Sequence, residues 1–391
     1  MDDDPKIPRP GRDDRRPRRR ALTRGRDHRR RLADIDVRIA VTGTRGKSSM
    51  VTWLHEAFVA RGYDTYAKVT GEEPHSLYNG TLHPIERSGP VKLYETAAEL
   101  RRFVPVDVLV VENQGIREYT TRLVNEDYVE PTLVVLTNVR RDHLDTLGEG
   151  YLGIARSLAR SVPPGVQVVT GERNPEVLAY LERELARRDA TLVRAVGPEV
   201  PLDPAAEQVA LLEAALVLAG VTPLTTAERE AFAGRFEMAW ARVPGGRVFD
   251  AANVNDVEST ELVRRALQGD TPEVFQPVVY LRADRPGRTA TYVQYLNWLA
   301  EAGLVEQVRV VGAHRDVLTR RLRVPVVAHD ERIESAAEVL DAALADGWPV
   351  VLMGNAVPPF AQALRREVAT RRHPVVVECE AETGEPVPAD D

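Results

Sequence analysis

The stretch Val37-Arg-Ile-Ala-Val-Thr-Gly-Thr-Arg-Gly-Lys-Ser-Ser49 decides the fold of this chain. An apolar strand runs into a loop that contains Gly43 and Gly46, and a helical pattern follows directly. Glycines let backbone N–H groups turn toward an anion, and the start of a helix adds a partial positive charge. Lys47 would reach the outer phosphates of a nucleotide, and Ser48 offers a hydroxyl to Mg²⁺. The stretch therefore predicts a phosphate-binding loop between a strand and a helix.

Apolar runs alternate with helical patterns on the C-terminal side of that loop. The runs contain Val, Ile and Leu without polar alternation, which is typical of strands buried on both faces of a parallel sheet. The sequence therefore predicts an α/β fold built on a P-loop-containing, mostly parallel sheet. In this part of the chain the predicted strands are 37–42, 106–111, 132–137 and 166–170, and the predicted helices are 48–60, 150–161, 175–187, 205–219 and 226–236.

A Pro-Gly-Gly turn at residues 244–246 interrupts the chain, and the alternation of strands and helices then resumes. This second series predicts a smaller Rossmann-like α/β domain, so we expect one domain over residues 36–243 and another over 244–391. Ligands of such sheets bind beyond the carboxyl ends of the strands. The predicted strands are 247–251, 278–282, 308–311, 324–328 and 350–353, and the predicted helices are 259–267, 289–302, 334–345 and 359–368.

Residues 1–35 precede the first strand and are rich in arginine. Twelve Arg and one Lys against eight Asp give residues 1–36 a net charge of +5, whereas the whole chain carries −7. Like charges repel and prolines remove helix donors, so we predict a disordered arm. The arm is either a solvated tail or is attracted to anionic lipid or nucleic acid. Because no aromatic residue lies before Asp36, bases have nothing to stack on, and specific nucleic-acid recognition is not expected.

Composition excludes several classes of protein. The 391 residues are 43% hydrophobic, which is ample for a folded core. The one cysteine, Cys379, cannot form an internal disulfide or a zinc site of cysteine pairs. The sequence has no run of about 18 uncharged apolar residues and no apolar signal segment. We therefore expect a cytoplasmic protein that associates with a membrane only peripherally, through the basic arm or through partner subunits.

Two further strand ends carry polar residues. Glu112 ends an apolar run, and in a P-loop sheet such a carboxylate can hold Mg²⁺. The segment Thr137-Asn-Val-Arg-Arg-Asp-His-Leu-Asp-Thr-Leu-Gly148 follows another apolar run and places Asp142, His143 and Asp145 within four residues. A histidine beside carboxylates at a strand end predicts a metal or phosphate site in which a carboxylate orients the ring. A solvated strand-end acid and a structural histidine are the alternatives.

These three segments together resemble the Mur ligase family, the ATP-dependent amide ligases that include peptidoglycan-precursor and folylpolyglutamate synthetases. The family pattern of Thr-Gly-Thr-x-Gly-Lys-Ser, a strand-end Glu and Asn-x-x-x-Asp-His-Leu-Asp matches residues 42–48, Glu112 and residues 138–145. Three later segments are similar to one branch of the family, the poly-γ-glutamate synthase subunit CapB or PgsB: Ala252-Asn-Val-Asn-Asp-Val-Glu-Ser-Thr260, Leu281-Arg-Ala-Asp-Arg-Pro-Gly-Arg-Thr289 and Met353-Gly-Asn355.

The resemblance implies an ADP-forming ligase that joins an acid to an amino acid through an acyl phosphate. It implies ATP and Mg²⁺ as cofactors, glutamate or a glutamate polymer as substrate, and membrane partner subunits of a polyglutamate synthase. Lys47, Glu112 and His143 would be catalytic, and Ser48, Glu112 and His143 would hold the metal. The nucleotide would be bound by residues of both domains: Thr42, Gly43, Thr44, Arg45, Gly46, Lys47, Ser48, Ser49, Asn255, Asp256, Arg282, Arg285 and Arg288.

One departure from the family pattern concerns the metal site. Many members carry a carbamylated lysine after the Asp-His-Leu-Asp motif, but no lysine follows Lys92 in this chain. Arg156 and Arg160 lie on the corresponding helix, so the second metal site would be either simplified or supported differently. Two other functions stay open. Another Mur-type ligase, similar to folylpolyglutamate synthase, would act on a different acceptor, whereas a P-loop NTPase would use hydrolysis as a switch with the basic arm as a tether.

Overall fold

The structure is a computed structural model that describes residues 25–372 with several short gaps. The gaps are residues 72, 88, 90–91, 116, 141–149, 198–199, 201–202, 237–238, 255 and 270. The chain divides into two compact units. The first comprises the chain up to residue 238 together with Asp256–Thr271 and Pro286–Tyr292, and the second comprises Ala239–Asn255, Pro272–Arg285 and the chain from Val293 onward.

The first unit is built on an eight-stranded sheet in the order β4-β3-β2-β5-β1-β6-β7-β8. Its strands are β1 (Val37–Thr42), β2 (Thr65–Val69), β3 (His75–Tyr78), β4 (Thr81–Pro84), β5 (Val108–Glu112), β6 (Leu133–Leu136), β7 (Gln167–Thr170) and β8 (Thr191–Arg194). In this spatial order, every neighbouring pair from β2 across to β8 is parallel. Strands β3 and β4 extend the sheet beyond β2 as an antiparallel edge. Because β1 lies between β5 and β6, the loop after β1 opens between their carboxyl ends.

Helices cover both faces of this sheet. Alternate residues of β1 enter opposite cores: Ile39 and Val41 pack on one face and Ala40 on the other. This burial on both faces explains the unbroken apolar pattern of the strand. The helices are α1 (residues 25–33), α2 (Lys47–Ala60), α3 (Glu95–Leu100), α4 (Glu118–Leu123), α5 (Gly150–Arg160), α6 (Pro175–Ala186), α7 (Pro204–Leu218) and α8 (Thr226–Ala233), with a π-helical turn at Val124–Val129.

Helix α1 corrects the predicted extent of the disordered arm. Residues 25–33 are helical, and Leu32 and the following Ile35 are buried in the core beneath the sheet. His28 is also buried, and its ring nitrogen Nε2 lies 3.0 Å from the carbonyl oxygen of Tyr128. The prediction weighed the charge of this segment and neglected its two apolar anchors, which supply the burial that orders a helix. Residues 1–24 of the predicted arm lie outside the described residues.

The second unit contains a six-stranded sheet in the order β13-β12-β11-β14-β10-β9. All its pairs are parallel except the hairpin of β9 and β10. Its strands are β9 (Ala241–Val243), β10 (Gly246–Asp250), β11 (Gln276–Leu281), β12 (Val308–Gly312), β13 (Val326–Ala328) and β14 (Val350–Gly354). The helices that follow β10 along the chain are α9 (Val257–Gln268), α10 (Pro286–Glu301), α11 (Arg315–Arg321), α12 (Ala336–Ala345) and α13 (Pro359–Arg371). Of these, α9 and the first residues of α10 belong to the first unit.

The two sheets confirm the predicted fold class, a P-loop-containing sheet followed by a smaller α/β unit. The β3–β4 hairpin was not predicted, although its turn carries the strongest short hairpin signal, an Asn79-Gly80 pair. Both residues have positive φ, 46° and 83°, as such a turn requires. The apolar-run criterion missed this hairpin because its strands are short and β4 is largely exposed.

Candidate functional site

The loop after β1 has a backbone conformation that favours glycine at two of its positions. Gly43 and Gly46 both have positive φ, 117° and 78°. A Cβ on Gly43 would lie 2.3 Å from the hydroxyl oxygen of Thr137, and one on Gly46 would lie 2.1 Å from the side-chain nitrogen of Gln208. At Gly43 the backbone conformation and the space both exclude a side chain, whereas at Gly46 the positive φ is the restriction, because the close atom is the end of the flexible Gln208 side chain. This loop is the predicted phosphate-binding loop, and it has the glycine-dependent shape that such a loop needs.

Helix α2 begins at the end of the loop with the predicted lysine and serine. Gly46 is the residue before the helix and offers no side chain to cap it, so the first turn presents its N–H groups toward the loop. The ammonium group of Lys47 donates to the carbonyl oxygens of Gly43 at 2.9 Å and Thr44 at 3.2 Å. Lys47 thus folds back over the loop. Ser49, also predicted as a ligand, is exposed on the same turn.

Asn138 clamps the middle of the loop to the end of β6. Its carbonyl oxygen accepts from the backbone N–H of Thr44 at 3.0 Å. Its side-chain oxygen accepts from the Thr44 hydroxyl at 2.8 Å and from the backbone N–H of Arg45 at 3.1 Å. Thr42, the last residue of β1, accepts from the backbone N–H of Thr137 at 2.9 Å. The loop is therefore held in shape by hydrogen bonds to the neighbouring strand end.

Glu112 lies at the same edge of the sheet, on the other side of β1. One of its carboxylate oxygens accepts from the Ser48 hydroxyl at 3.1 Å and from the backbone N–H of Thr70 at 2.8 Å. The residue is only 5% exposed. The structure thus brings the predicted Ser48 and Glu112 together at the mouth of the loop. Thr70, which follows β2, was not predicted because the pairing of β2 with β5 is invisible in the sequence.

The described part of the site fits a hard divalent cation. Hydroxyl and carboxylate oxygens are the ligands that Mg²⁺ prefers, and Ser48 and Glu112 place one of each at hydrogen-bond distance. The third predicted ligand, His143, lies outside the described residues, as do Asp142 and Asp145. Within the described ranges, no three His, Cys, Asp or Glu side chains are grouped so as to hold a metal ion. The metal prediction therefore stays a prediction.

A buried lysine supports the strand ends beside Glu112. Lys68, in β2, is fully buried; its ammonium group lies 2.9 Å from a carboxylate oxygen of Glu95 and donates to Gln114 at 3.0 Å. Burial lowers the pKa of Lys68, and the bond to Glu95 offsets part of that effect. Burial alone would raise the pKa of Glu95, but bonds from Arg87 and Lys68 hold it below its usual value. Sequence analysis missed this group, although lysine is rare in the chain.

Two predicted ligands from the CapB-like segments belong to the first compact unit. Within that unit, Arg45 of the loop lies 3.0 Å from a carboxylate oxygen of Asp256. Asp256 also caps α9 by accepting from the backbone N–H of Ser259 at 2.9 Å. Arg288 lies in α10, in the segment that joins the same unit. Asn255 lies outside the described residues.

The other two predicted arginines lie after β11 in the second unit. Arg282 forms a bidentate ion pair with Asp284, with hydrogen bonds of 2.8 and 2.7 Å. Arg285 lies 3.9 Å from the same carboxylate. The Asp284 side chain is 57% exposed, so this is a surface ion-pair group. The bond from Arg282 holds the pKa of the Asp284 carboxyl below its usual range.

The Met353-Gly-Asn355 segment has a structural role within the second sheet. Gly354, at the end of β14, has a φ of 95°, and a Cβ there would lie 2.2 Å from the carbonyl oxygen of Tyr280. Asn355 is buried, and its backbone N–H donates to that same oxygen at 3.0 Å. The segment therefore joins the carboxyl ends of β14 and β11.

Two sequence-family models match successive parts of this chain, in the same order as its motifs. Residues 41–197 match the Mur ligase middle domain, and residues 241–371 match the C-terminal domain of poly-gamma-glutamate synthase CapB. The chain is therefore similar to a Mur ligase middle domain followed by a CapB C-terminal domain. The predicted resemblance to the Mur ligase family and its CapB branch is confirmed.

Relatives with names of this kind match part of the chain. It is 26% identical over 166 residues to the PGA synthase CapB of Bacillus subtilis (strain 168), covering 41% of this chain and 42% of that one. It is 25% identical over 175 residues to the capsule biosynthesis protein CapB of Bacillus anthracis, covering 42% of this chain and 36% of that one. The matched part is thus about two fifths of the length of these relatives.

Solved structures share the architecture of this chain over most of its length. Escherichia coli FolC in complex with ADP aligns with a TM-score of 0.61 at 20% identity, covering 89% of this chain and 93% of that one. Mycobacterium tuberculosis folylpolyglutamate synthase complexed with ADP aligns with a TM-score of 0.59 at 19% identity, covering 90% and 95%. At this identity the likeness is one of fold. Among the described helices, none is long and apolar enough to cross a membrane.

Proposed function

We propose that this protein is an ATP-dependent amide ligase of the CapB type, which joins glutamate units through an acyl phosphate. The observation that carries the proposal is the edge of the first sheet, where a glycine-shaped phosphate loop lies beside the Ser48–Glu112 pair. The family matches on both parts of the chain support the same reading. We keep the division into an ATP-binding domain over residues 36–243 and a ligase domain over 244–391 as part of this proposal.

The chemistry needs little from the protein beyond placement and charge neutralisation. A carboxylate is a poor electrophile, so it first takes the terminal phosphoryl group of ATP on an oxygen, giving an acyl phosphate and ADP. The amine nitrogen then attacks the carbonyl carbon, the bond to the phosphate oxygen breaks, and the nitrogen loses its proton. Proximity and electrostatic stabilisation supply most of the acceleration in such transfers.

The residues of the loop take the parts that their geometry suits. Lys47 and the first turn of α2 would neutralise the outer phosphates, and Asn138 would keep Thr44 and Arg45 in the required conformation. Ser48 and Glu112, with His143, would hold Mg²⁺. When bound, the metal ion would neutralise charge on the phosphate oxygens during transfer. Arg282, Arg285, Arg288, Asn255 and Asp256 would complete the nucleotide and carboxylate contacts.

Two alternatives are separated by one experiment. The protein is incubated with ATP and Mg²⁺, with either a glutamate oligomer or a folate as the acid and with or without free glutamate as the amine, and ADP and product masses are measured. The proposal expects ADP formation that rises sharply when acid and amine are both present, and a mass increase of one glutamate unit per ADP. A folylpolyglutamate synthase-like ligase would extend a folate acceptor instead. Steady ADP formation without any acid or amine would identify an NTPase and contradict the proposal.

We also propose that the protein works at a membrane with partner subunits, recruited in part by the Arg-rich arm. The support is the net charge of +5 on residues 1–36, since anionic headgroups attract basic segments. The test is co-flotation with vesicles of anionic or neutral lipid, with and without residues 1–24. Equal flotation on both lipids, or no effect of removing the arm, would contradict this part of the proposal.

A further inference from the structure

Glu172 is a completely buried carboxylate that lies just past the end of β7. One of its oxygens accepts from the backbone N–H of Val139 at 2.7 Å. The other accepts from the N–H groups of Arg173 and Asn174, each at 2.8 Å. Three backbone donors compensate a group whose burial would otherwise be costly. None of the site residues predicted from the sequence contacts Glu172 through a side chain in the described part of the structure.

Val139, whose backbone N–H donates to Glu172, lies between Asn138 and Arg140, which both form hydrogen bonds to the phosphate loop. Val139 follows Asn138, whose side chain and carbonyl bind Thr44 and Arg45. It precedes Arg140, whose backbone N–H donates to the Thr44 hydroxyl at 2.8 Å. The segment 138–140 is therefore fixed to the loop on one side and to Glu172 on the other.

A glycine brings the two strand ends together at this point. Gly171 directly precedes Glu172, and its N–H donates to the carbonyl oxygen of Leu136 at 3.3 Å. A Cβ on Gly171 would lie 2.9 Å from the carbonyl oxygen of Thr137. Only a residue without a side chain allows this approach, and the approach sets the Glu172 carboxylate against the backbone of Val139.

We propose that Glu172 is a positioning residue for nucleotide binding, which acts on the phosphate loop only through segment 138–140. This inference rests on the proposed function, because it requires that the loop bind a nucleotide. It assigns to the end of β7 a role that none of the motifs in the sequence indicated.

Electrostatics and positioning predict opposite results for a single substitution. Glu172→Gln keeps the size of the side chain but removes a negative charge near a site for phosphates. If charge alone mattered, the variant would bind ATP more tightly, because a like charge is removed. If position matters, the new amide NH₂ faces one of the backbone N–H donors, the 138–140 segment shifts, and ATP binds more weakly.

The test is calorimetric titration of the full chain with a non-hydrolysable ATP analogue and Mg²⁺, well below the melting temperature. For Glu172→Gln we expect affinity weaker by at least about tenfold, the equivalent of one hydrogen bond to a charged group. Glu176→Gln, the same change at an exposed position of α6, serves as the matched control and leaves affinity unchanged. A folded Glu172→Gln protein with unchanged or tighter affinity would overturn the inference.

A second variant keeps the test decisive if Glu172→Gln does not fold. Asn138→Ala removes the side-chain bonds between the segment and the loop and leaves the backbone bonds of Asn138 and Arg140. Adding Glu172→Asp to it should therefore cost clearly less affinity than Glu172→Asp costs on its own. Losses that multiply fully in the double variant would show that Glu172 acts independently of the contacts between the segment and the loop, and would overturn the inference. A wild-type protein that binds no analogue would instead refute the proposed function, and the inference with it.

Discussion

The carboxyl edges of the two sheets are held by different kinds of polar contact. In the first unit, Glu112 and Lys68 are 5% and 0% exposed, and their bonds go to neighbouring strand ends. In the second unit, the Arg282 and Asp284 side chains are 32% and 57% exposed and bond to each other within one loop. Buried, satisfied polar groups fix a conformation, whereas exposed ion pairs contribute little. We infer that the first edge is a preorganised framework, whereas the loop after β11 in the second unit is adjustable.

Lys68→Met should produce the largest effect on stability. Methionine preserves the length of the side chain but leaves Gln114 and one side of Glu95 without their cation, although Arg87 still bonds to Glu95. We expect the free energy of unfolding to fall by about 3 kcal/mol, as when one partner of a buried pair is lost. Urea unfolding measures it. Arg102→Met, which removes an exposed pair with Glu99, is the control and should cost less than about 1 kcal/mol. If both variants lose a similar free energy of unfolding, the buried pair is no stronger than the exposed one and the comparison fails.

Lys47→Ala tests the first edge as catalytic machinery. The side chain that folds over the loop is lost, so charge on the outer phosphates is not neutralised in the transition state. We expect ADP formation to fall by at least about two orders of magnitude, the cost of losing one such donor elsewhere. Lys92→Ala, at an exposed position, is the matched control and should keep its activity. Near-normal turnover of Lys47→Ala would take the loop out of the mechanism.

Glu112→Gln separates the metal role of this edge from its structural role. The amide can still accept from Thr70 or Ser48, but it loses the charge that attracts a divalent cation. We expect the Mg²⁺ concentration for half-maximal activity to rise by about tenfold. The control is Glu118→Gln, whose partner Arg160 lies 3.7 Å away in an exposed pair. If the two variants need the same Mg²⁺ concentration, Glu112 does not hold the metal.

The sequence predicted local features of the first edge well, because each lies next to a strand end that its apolar run defines. The loop glycines, Lys47, Ser48 and Glu112 all come directly after or within such runs. The supporting residues were missed because their partners depend on strand order. Asn138 clamps the loop only because β6 pairs with β1. Lys68 supports Glu95 and Gln114 only because β2 pairs with β5, and an apolar pattern does not reveal which strands are neighbours.

Sequence analysis also missed the ion pairs that Asp284 forms in the second unit, and the reason is physical. Arg282 and Arg285 were predicted as nucleotide ligands from motif similarity alone, but Asp284 stands between them in the same motif. In the structure that carboxylate pairs with Arg282 and lies near Arg285. The motif therefore contains the carboxylate that neutralises its arginines. Arg282 and Arg285 must exchange Asp284 for a substrate group before they can act as proposed.

The smallest effect should come from Asp284→Asn, and its pH dependence has a definite sign. Arg282 lowers the pKa of the Asp284 carboxyl in the folded protein, so the pair stabilises the fold above the ordinary carboxyl pKa of about 4 and loses that contribution as the pH falls. In a double-mutant cycle with Arg282→Ala, we expect a coupling free energy below about 1 kcal/mol at neutral pH. Added salt should reduce it further, because the pair is exposed. A coupling above about 2 kcal/mol that resists salt would mean that this loop is held as firmly as the first edge, and the arginines would then be structural rather than available to a substrate.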